Sequence, residues 1–146
     1  MSSNTQLAMA LVAKKYFAQT RHLRTMGETV HPNATISPSA RIGKNCIVGP
    51  GAVLSDDVEI GDDCVIGANT VLETCVKVGP RTHIHPLVFV GHDCTIGADC
   101  EIKPNTTIGG EGYGFAQDES FNHHKITHYG RVVIDDRVSI GSGVQI

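Results

Sequence analysis

The sequence predicts an all-β fold, a parallel β-helix in which a six-residue repeat forms one side of each coil. The first observation is that every sixth residue from Val30 to Ile108 is aliphatic, at fourteen consecutive positions. An α-helix repeats every 3.6 residues and a two-sided strand every 2, so neither explains a spacing of six. A fixed short repeat is typical of a solenoid, here a hexapeptide-repeat solenoid. The repeat positions are Val30, Ile36, Ile42, Val48, Leu54, Ile60, Ile66, Leu72, Val78, Ile84, Val90, Ile96, Ile102 and Ile108.

Two further observations indicate how each side is built. From Ile36 onward, the residue two positions before each aliphatic is small or medium-sized, and in an extended chain it points to the same side. Glycine follows the aliphatic in eight of the fourteen repeats, which predicts a tight corner there. Three sides close a triangular coil of about 18 residues, with coils stacked at about the strand spacing of 4.8 Å. The repeat from 30 to 108 therefore makes somewhat more than four coils.

The N-terminal segment, residues 1–29, lies outside the repeat and contains one predicted helix. Between residues 5 and 18, Leu7, Leu11 and Phe17 form an apolar stripe. The open end of a solenoid leaves its core uncovered, so it needs a cap or a partner. We therefore expect this helix to cap or dock on that end.

The solenoid, residues 30–146, is interrupted by an insertion at 109–131. The repeat returns two positions out of phase, so the insertion is an excursion from the coil and not a missing repeat. Loops that project from solenoid corners usually build the binding face. The restarted pattern reaches Ile146 with no polar or helical cap, and we expect further coils in the natural protein. The returning aliphatics are Ile134, Ile140 and Ile146.

Composition excludes several classes of function. The chain has 146 residues, consistent with one domain, and a net charge of −3 with 12 scattered basic residues argues against nucleic acid as a partner. No apolar run approaches the ~20 residues of a membrane span, and the first residues do not form a signal peptide, so we predict a cytoplasmic protein without membrane insertion. Four of the five cysteines occupy the small interior position and are predicted to pack there, not to bind metal. They are Cys46, Cys64, Cys94 and Cys100.

His92 is the candidate catalytic residue. It follows Val90 by two positions, in VFVGHDCTIG, and is expected at a coil corner. A neutral histidine there could take a proton from an amine or hydroxyl nucleophile, and Asp93 could orient its ring. The alternative is a solvent-facing corner histidine.

Two further groups are candidates for binding. His83 and His85 form HIHP on the outer side of another corner, seven residues before His92. Three histidines close together raise the hypothesis of a zinc site, whose ligands would have to come from two subunits. The insertion carries Gly112-Tyr113-Gly114-Phe115, where glycine permits close backbone approach and the aromatic rings could pack an acyl chain. The alternative is an aromatic pair that pins the loop onto the coil. We predict that these four residues and His85 bind substrate. We predict no metal site.

The inserted loop and the segment that resumes the repeat after it carry a resemblance to a known family. The segments IGGEGYGFAQDE and GRVVIDDRVSIGSG, which follow the unbroken repeat of residues 30–108, resemble the UDP-3-O-acylglucosamine N-acyltransferases of lipid A biosynthesis. That family has an IG-x-[DE]-G-[FY]-G-[FY]-A loop and a GRV-[IV]-I-x-D-x-V-x-IG return. The segment SNTQLAMALVAKKYF resembles the family's linker helix. The resemblance implies a left-handed coil.

The resemblance also implies an activity and its partners. It implies a homotrimer of parallel prisms with active sites in the clefts between subunits. The reaction moves a 3-hydroxyacyl group from acyl carrier protein to the 2-amine of a UDP-linked acylglucosamine, with a histidine as base and backbone amides stabilising the oxyanion. No cofactor is implied beyond the acyl carrier protein as donor.

The chain departs from the family at both ends. The family's uridine-binding domain would precede the linker helix, and its catalytic histidine, in an I-A-H-[ND] motif, would follow Ile146. His92 resembles that motif but aligns with an earlier coil, where the family carries a different histidine. We therefore expect weak or no native activity from these residues alone.

Two other functions stay open. One is a metal-dependent enzyme resembling γ-type carbonic anhydrases, although the spacing from His85 to His92 does not fit their G-H-x4-H-G-C pattern. The other is a non-catalytic solenoid that trimerises or docks a partner.

Overall fold

A computed structural model describes residues 5–16 and 29–146. The helix α1 spans Thr5–Tyr16, close to the predicted range of 5–18, while Phe17 lies outside the described residues. The side chains of residues 5–12 are exposed, including Leu7 and Leu11. The expectation that this helix caps or docks on the solenoid stays a prediction.

The remainder is a parallel β-helix, which confirms the predicted fold class. The strands are β1 Thr35–Ile36, β2 Arg41–Ile42, β3 Ile47–Val48, β4 Val53–Leu54, β5 Glu59–Ile60, β6 Val65–Ile66, β7 Val71–Leu72, β8 Lys77–Val78, β9 His83–Ile84, β10 Phe89–Val90, β11 Thr95–Ile96, β12 Glu101–Ile102, β13 Thr107–Ile108, β14 Phe115–Gln117, β15 His123–Lys125, β16 Val133–Ile134 and β17 Ser139–Ile140. All but β14 and β15 belong to three five-stranded parallel sheets, in the orders β1-β4-β7-β10-β13 (sheet 1), β16-β11-β8-β5-β2 (sheet 2) and β17-β12-β9-β6-β3 (sheet 3).

Up to Ile108, strands of successive coils pair so that residues 18 positions apart stand side by side. Leu54 pairs with Leu72 in this way, and Ile66 with Ile84. The paired part of each side is two residues long, shorter than the six expected, because the turns take up the other four. Consecutive strands belong to sheets 1, 2 and 3 in turn, which gives the triangular coil.

The interior confirms the predicted pair of large and small side chains. The aliphatic ladder from Val48 to Ile108 is buried, and so are the small residues two positions earlier. Several of these donate a hydrogen bond to a carbonyl of the next coil: Cys46 Sγ to Gly61 O at 3.1 Å, and Thr82 Oγ1 to Gly97 O at 2.7 Å. All four in-phase cysteines are buried, as predicted, and burial raises the pKa of Cys64 to about 11.

The corners differ from the prediction in one respect. The left-handed backbone falls three positions after the aliphatic, for example at Asn45, Asp63 and Asp93. Most of the glycines directly after the aliphatics serve a different purpose, because a Cβ at Gly61 would lie 2.7 Å from the backbone nitrogen of Pro80 in the next coil. Close coil stacking therefore accounts for them.

The insertion is an excursion, as predicted. Ile134 pairs with Ile96 and Ile140 with Ile102, so the chain re-enters sheets 2 and 3 one coil above their previous strands. Within the insertion, β14 and β15 form an antiparallel hairpin that projects from the corner between β13 and β16.

Candidate active site

His92 lies at the corner between β10 and β11, as predicted. Its side chain is 52% exposed, and its Nδ1 lies 3.0 Å from Oδ2 of the adjacent Asp93. The backbone N–H of His92 donates to Oε2 of Glu73 at 3.1 Å, and Glu73 occupies the same corner one coil earlier. The hydrogen bond to Asp93 raises the pKa of His92, and the charges of Asp93, Glu73 and Glu111 act in the same direction.

The inserted loop stands over the same corner, one coil later. Its hairpin turns at Asp118, whose Oδ1 accepts the backbone N–H groups of Ser120 and Asn122. The Oδ2 of Asp118 lies 2.9 Å from Nε2 of His124. These hydrogen bonds lower the pKa of Asp118 to about 2, and the bond to His124 contributes most to this shift.

Two contacts close the base of the loop. The Nδ1 of His128 accepts the backbone N–H of Gly112 at 2.8 Å, and Lys125 forms an ion pair with Glu111. This ion pair lowers the pKa of Glu111. His128 therefore has a structural role that its sequence position, in an irregular segment, did not reveal.

A cavity of about 370 Å³ lies between the corner and the loop. It combines the His92 imidazole with glycine backbone, one further histidine, one acid and one guanidinium. A pocket of this kind suits a ligand with anionic and hydrogen-bonding groups. The lining residues are His92, Gly109, Gly110, Glu111, Thr127, His128, Tyr129, Gly130, Arg131, Val132 and Ile146.

The predicted glycine–aromatic motif lies beside this cavity and does not form its described wall. Tyr113 is 96% exposed and contacts Phe115 edge-on at a ring separation of 5.1 Å. The aromatic pair therefore does not pin the loop onto the coil. That Gly112, Tyr113, Gly114 and Phe115 bind substrate stays a prediction.

His85 lies at a different corner, between β9 and β10, so one chain does not place it with His92. Its ring stacks on that of His83 with centroids 4.0 Å apart. A metal site made of His83, His85 and His92 is not formed within the described chain. The prediction that His85 contacts substrate stays a prediction.

A second surface was missed by the sequence analysis. A groove of about 550 Å³ runs along the outer side of sheet 2, where Arg41, Glu59 and Lys77 stand on neighbouring strands. The Nζ of Lys77 lies 3.3 Å from Oε1 of Glu59. The signal that would have revealed this charge ladder is the spacing of 18 residues.

The comparisons with known proteins agree with this architecture. The bacterial transferase hexapeptide model (six repeats) matches residues 29–56, 39–74 and 75–110. A UDP-3-O-acylglucosamine N-acyltransferase from Marinomonas sp. is 42% identical over 99% of this chain and 40% of its own length. UDP-3-O-acylglucosamine N-acyltransferase 1 from Francisella tularensis is 43% identical over 80% of this chain and 34% of its own length. The chain thus spans less than half the length of these relatives.

Solved structures share the fold. The acetyltransferase domain of PglB from Neisseria gonorrhoeae superposes with a TM-score of 0.63 at 19% identity, covering 91% of this chain and 57% of that one. A UDP-N-acetylglucosamine acyltransferase from Campylobacter jejuni gives 0.56 at 18% identity, covering 80% and 49%. In the part of the chain that the structure describes, no helix has the length and apolar character of a membrane span. On its repeat, its coil and these matches, the chain belongs to the bacterial transferase hexapeptide family.

Proposed function

We propose that the chain is the solenoid part of an N-acyltransferase that moves a 3-hydroxyacyl group from acyl carrier protein to the 2-amine of a UDP-acylglucosamine. The observation that carries the proposal is the cavity above His92, because it combines a histidine–carboxylate pair with the inserted loop. The names of the relatives support the substrate class, since one of them matches 99% of the chain. The cytoplasm remains the predicted location.

In this proposal His92 is the general base of the reaction. The acceptor amine attacks the thioester carbonyl carbon, a C–N bond forms, and Nε2 of His92 takes the amine proton. The tetrahedral intermediate then collapses, the C–S bond breaks, and the thiol leaves with the proton returned by His92. Asp93 stabilises the imidazolium that exists between these steps.

The other polar groups of the cavity suit the acceptor. Arg131 contributes a guanidinium, which binds the oxygens of a diphosphate well. The exposed Tyr113–Phe115 pair on the neighbouring loop offers apolar surface to an acyl chain. We expect a homotrimer, as the family resemblance implies, so that a second subunit completes each site.

The test is an acyl-transfer assay with 3-hydroxyacyl carrier protein and UDP-acylglucosamine. The chain and its His92→Ala variant are compared, with His31→Ala as the control because His31 is a histidine of the first coil, outside both the cavity and the loop. A fall of about a hundredfold or more in His92→Ala alone is the expected loss of a general base. Transfer by neither protein, with trimers intact, would mean that the chain is a structural portion of an acyltransferase or a solenoid that docks a partner, and that the chemistry lies in residues outside these 146.

A further inference from the structure

The outer side of sheet 3 carries a cluster of two histidines and one glutamate. His83 on β9 stands directly beside Glu101 on β12 in the parallel register. His85 follows two positions later on the same side, and its ring stacks on that of His83 with centroids 4.0 Å apart and an angle of 14° between the planes. All three residues are half-buried.

Glu101 connects this cluster. Its Oε1 lies 3.1 Å from Nε2 of His85 and also forms an ion pair with Lys103. Burial opposes ionisation of Glu101, but the hydrogen bonds from Lys103 and His85 prevail and lower its pKa. Glu101 Oε1 thus faces both His85 and Lys103 and is the carboxylate oxygen nearest the histidine pair.

The donor atoms are close enough to share one ion. One nitrogen from each imidazole and one carboxylate oxygen all lie within 4.8 Å of one another. Around a metal with bonds of about 2.0–2.2 Å, tetrahedral ligands stand roughly 3.4 Å apart, so ion binding requires the three side chains to rotate toward one another. Two paired strands of neighbouring coils hold the backbones of His83 and Glu101 in fixed register.

We propose that His83, His85 and Glu101 form a binding site for a divalent transition-metal ion such as Zn²⁺. Two imidazole nitrogens and one carboxylate oxygen are a donor set that this class of ion prefers, and three protein ligands leave a position for water or another ligand. Lys103 competes with the ion, because its ammonium group occupies the same carboxylate oxygen. The site belongs to a different corner from the cavity of His92.

The first experiment is a calorimetric titration of the purified chain with Zn²⁺. We expect one ion per chain, with affinity at least about tenfold weaker in His83→Ala, His85→Ala and Glu101→Gln. His124→Ala is the matched control, because His124 also lies close to a carboxylate, at 2.9 Å, but belongs to the separate hairpin. Unchanged affinity in the three ligand variants would overturn the proposal.

A gain-of-affinity variant keeps the test decisive if an alanine variant unfolds. Lys103→Met removes the competing ammonium group and keeps the length of the side chain, so we expect Zn²⁺ to bind more tightly. Binding weaker than in the unmodified chain would count against the site. Co²⁺ spectra give a second readout: absorption typical of nitrogen and oxygen ligands supports it, and a strong thiolate band would assign the ion to cysteine instead.

Discussion

The Nδ1 atom of His92 lies 3.0 Å from Oδ2 of Asp93, its immediate neighbour in the chain. Adjacent side chains meet here because Asp93 takes the left-handed conformation of the corner, with φ of 57°. A carboxylate accepts the Nδ1–H, so the neutral imidazole keeps its lone pair on Nε2. The corner geometry of the coil thus prepares the ring to accept a proton.

The first prediction concerns the titration of His92. Asp93→Asn removes the charge but tolerates the left-handed backbone, so we expect the pKa of His92 to fall toward its ordinary value. Glu73→Gln should lower it less, because Glu73 acts only through its more distant charge on the ring. Histidine NMR titrations measure both. A larger shift in Glu73→Gln would mean that Asp93 is not the main cause.

The same contact has a consequence for stability. The pKa of His92 is raised in the folded chain, so the stabilising charged pair is fully formed below the ordinary histidine pKa. It is lost as pH rises through the raised pKa. We therefore expect the difference in stability between the chain and Asp93→Asn to shrink on going from mildly acidic to alkaline pH, as measured by urea unfolding. A difference that grew with pH would contradict this sign.

The second prediction compares two isoleucines of sheet 3. Ile84 is fully buried in the middle of the sheet, whereas Ile140 is 8% exposed on its last strand. Ile84→Ala leaves a cavity between two coils and should cost about 2–5 kcal/mol in free energy of unfolding. Ile140→Ala should cost less, because a coil packs on only one side of it in this structure. Equal losses in chemical denaturation would contradict the difference.

The six-residue period predicted the interior well because each repeat places the same two positions inward. The burial of Cys64 and Ile84 follows directly from their phase. The same logic extends to contacts between coils, since residues 18 positions apart stand side by side. The pairing of His83 with Glu101 could therefore have been predicted, and it was missed because histidines were compared only with other histidines.

The loop could not be predicted in this way because it has no period. Its shape depends on local bonds, such as those of Asp118 to Ser120 and Asn122, and on the distant contact between His128 and Gly112. Residue types alone do not specify which of several histidines makes such a contact. The corner position of His92 could be predicted because the coil fixes it, whereas the opposite wall of the cavity comes from the loop.

The third prediction concerns the thiols. Burial raises the pKa of Cys64 to about 11, so it is almost entirely protonated at pH 8 and inaccessible to reagents. Cys75 lies at a corner and is partly exposed. A disulfide reagent should therefore label one thiol per native chain, and Cys75→Ser should remove that reaction. Rapid labelling of all five thiols without denaturant would show that the coil opens.

The last prediction tests why glycine follows so many of the aliphatic residues. A Cβ at residue 61 would lie 2.7 Å from the backbone nitrogen of Pro80 and 3.0 Å from its Cα. Both atoms belong to the next coil, so Gly61→Ala must push two coils apart and should cost about 1–3 kcal/mol in free energy of unfolding. Gly130→Ala is the control, because a Cβ there meets no atom within 4 Å. Backbone freedom gives no reason for glycine at residue 61, since the left-handed residue of that corner is Asp63. A Gly61→Ala chain as stable as the unmodified chain would therefore contradict the stacking explanation.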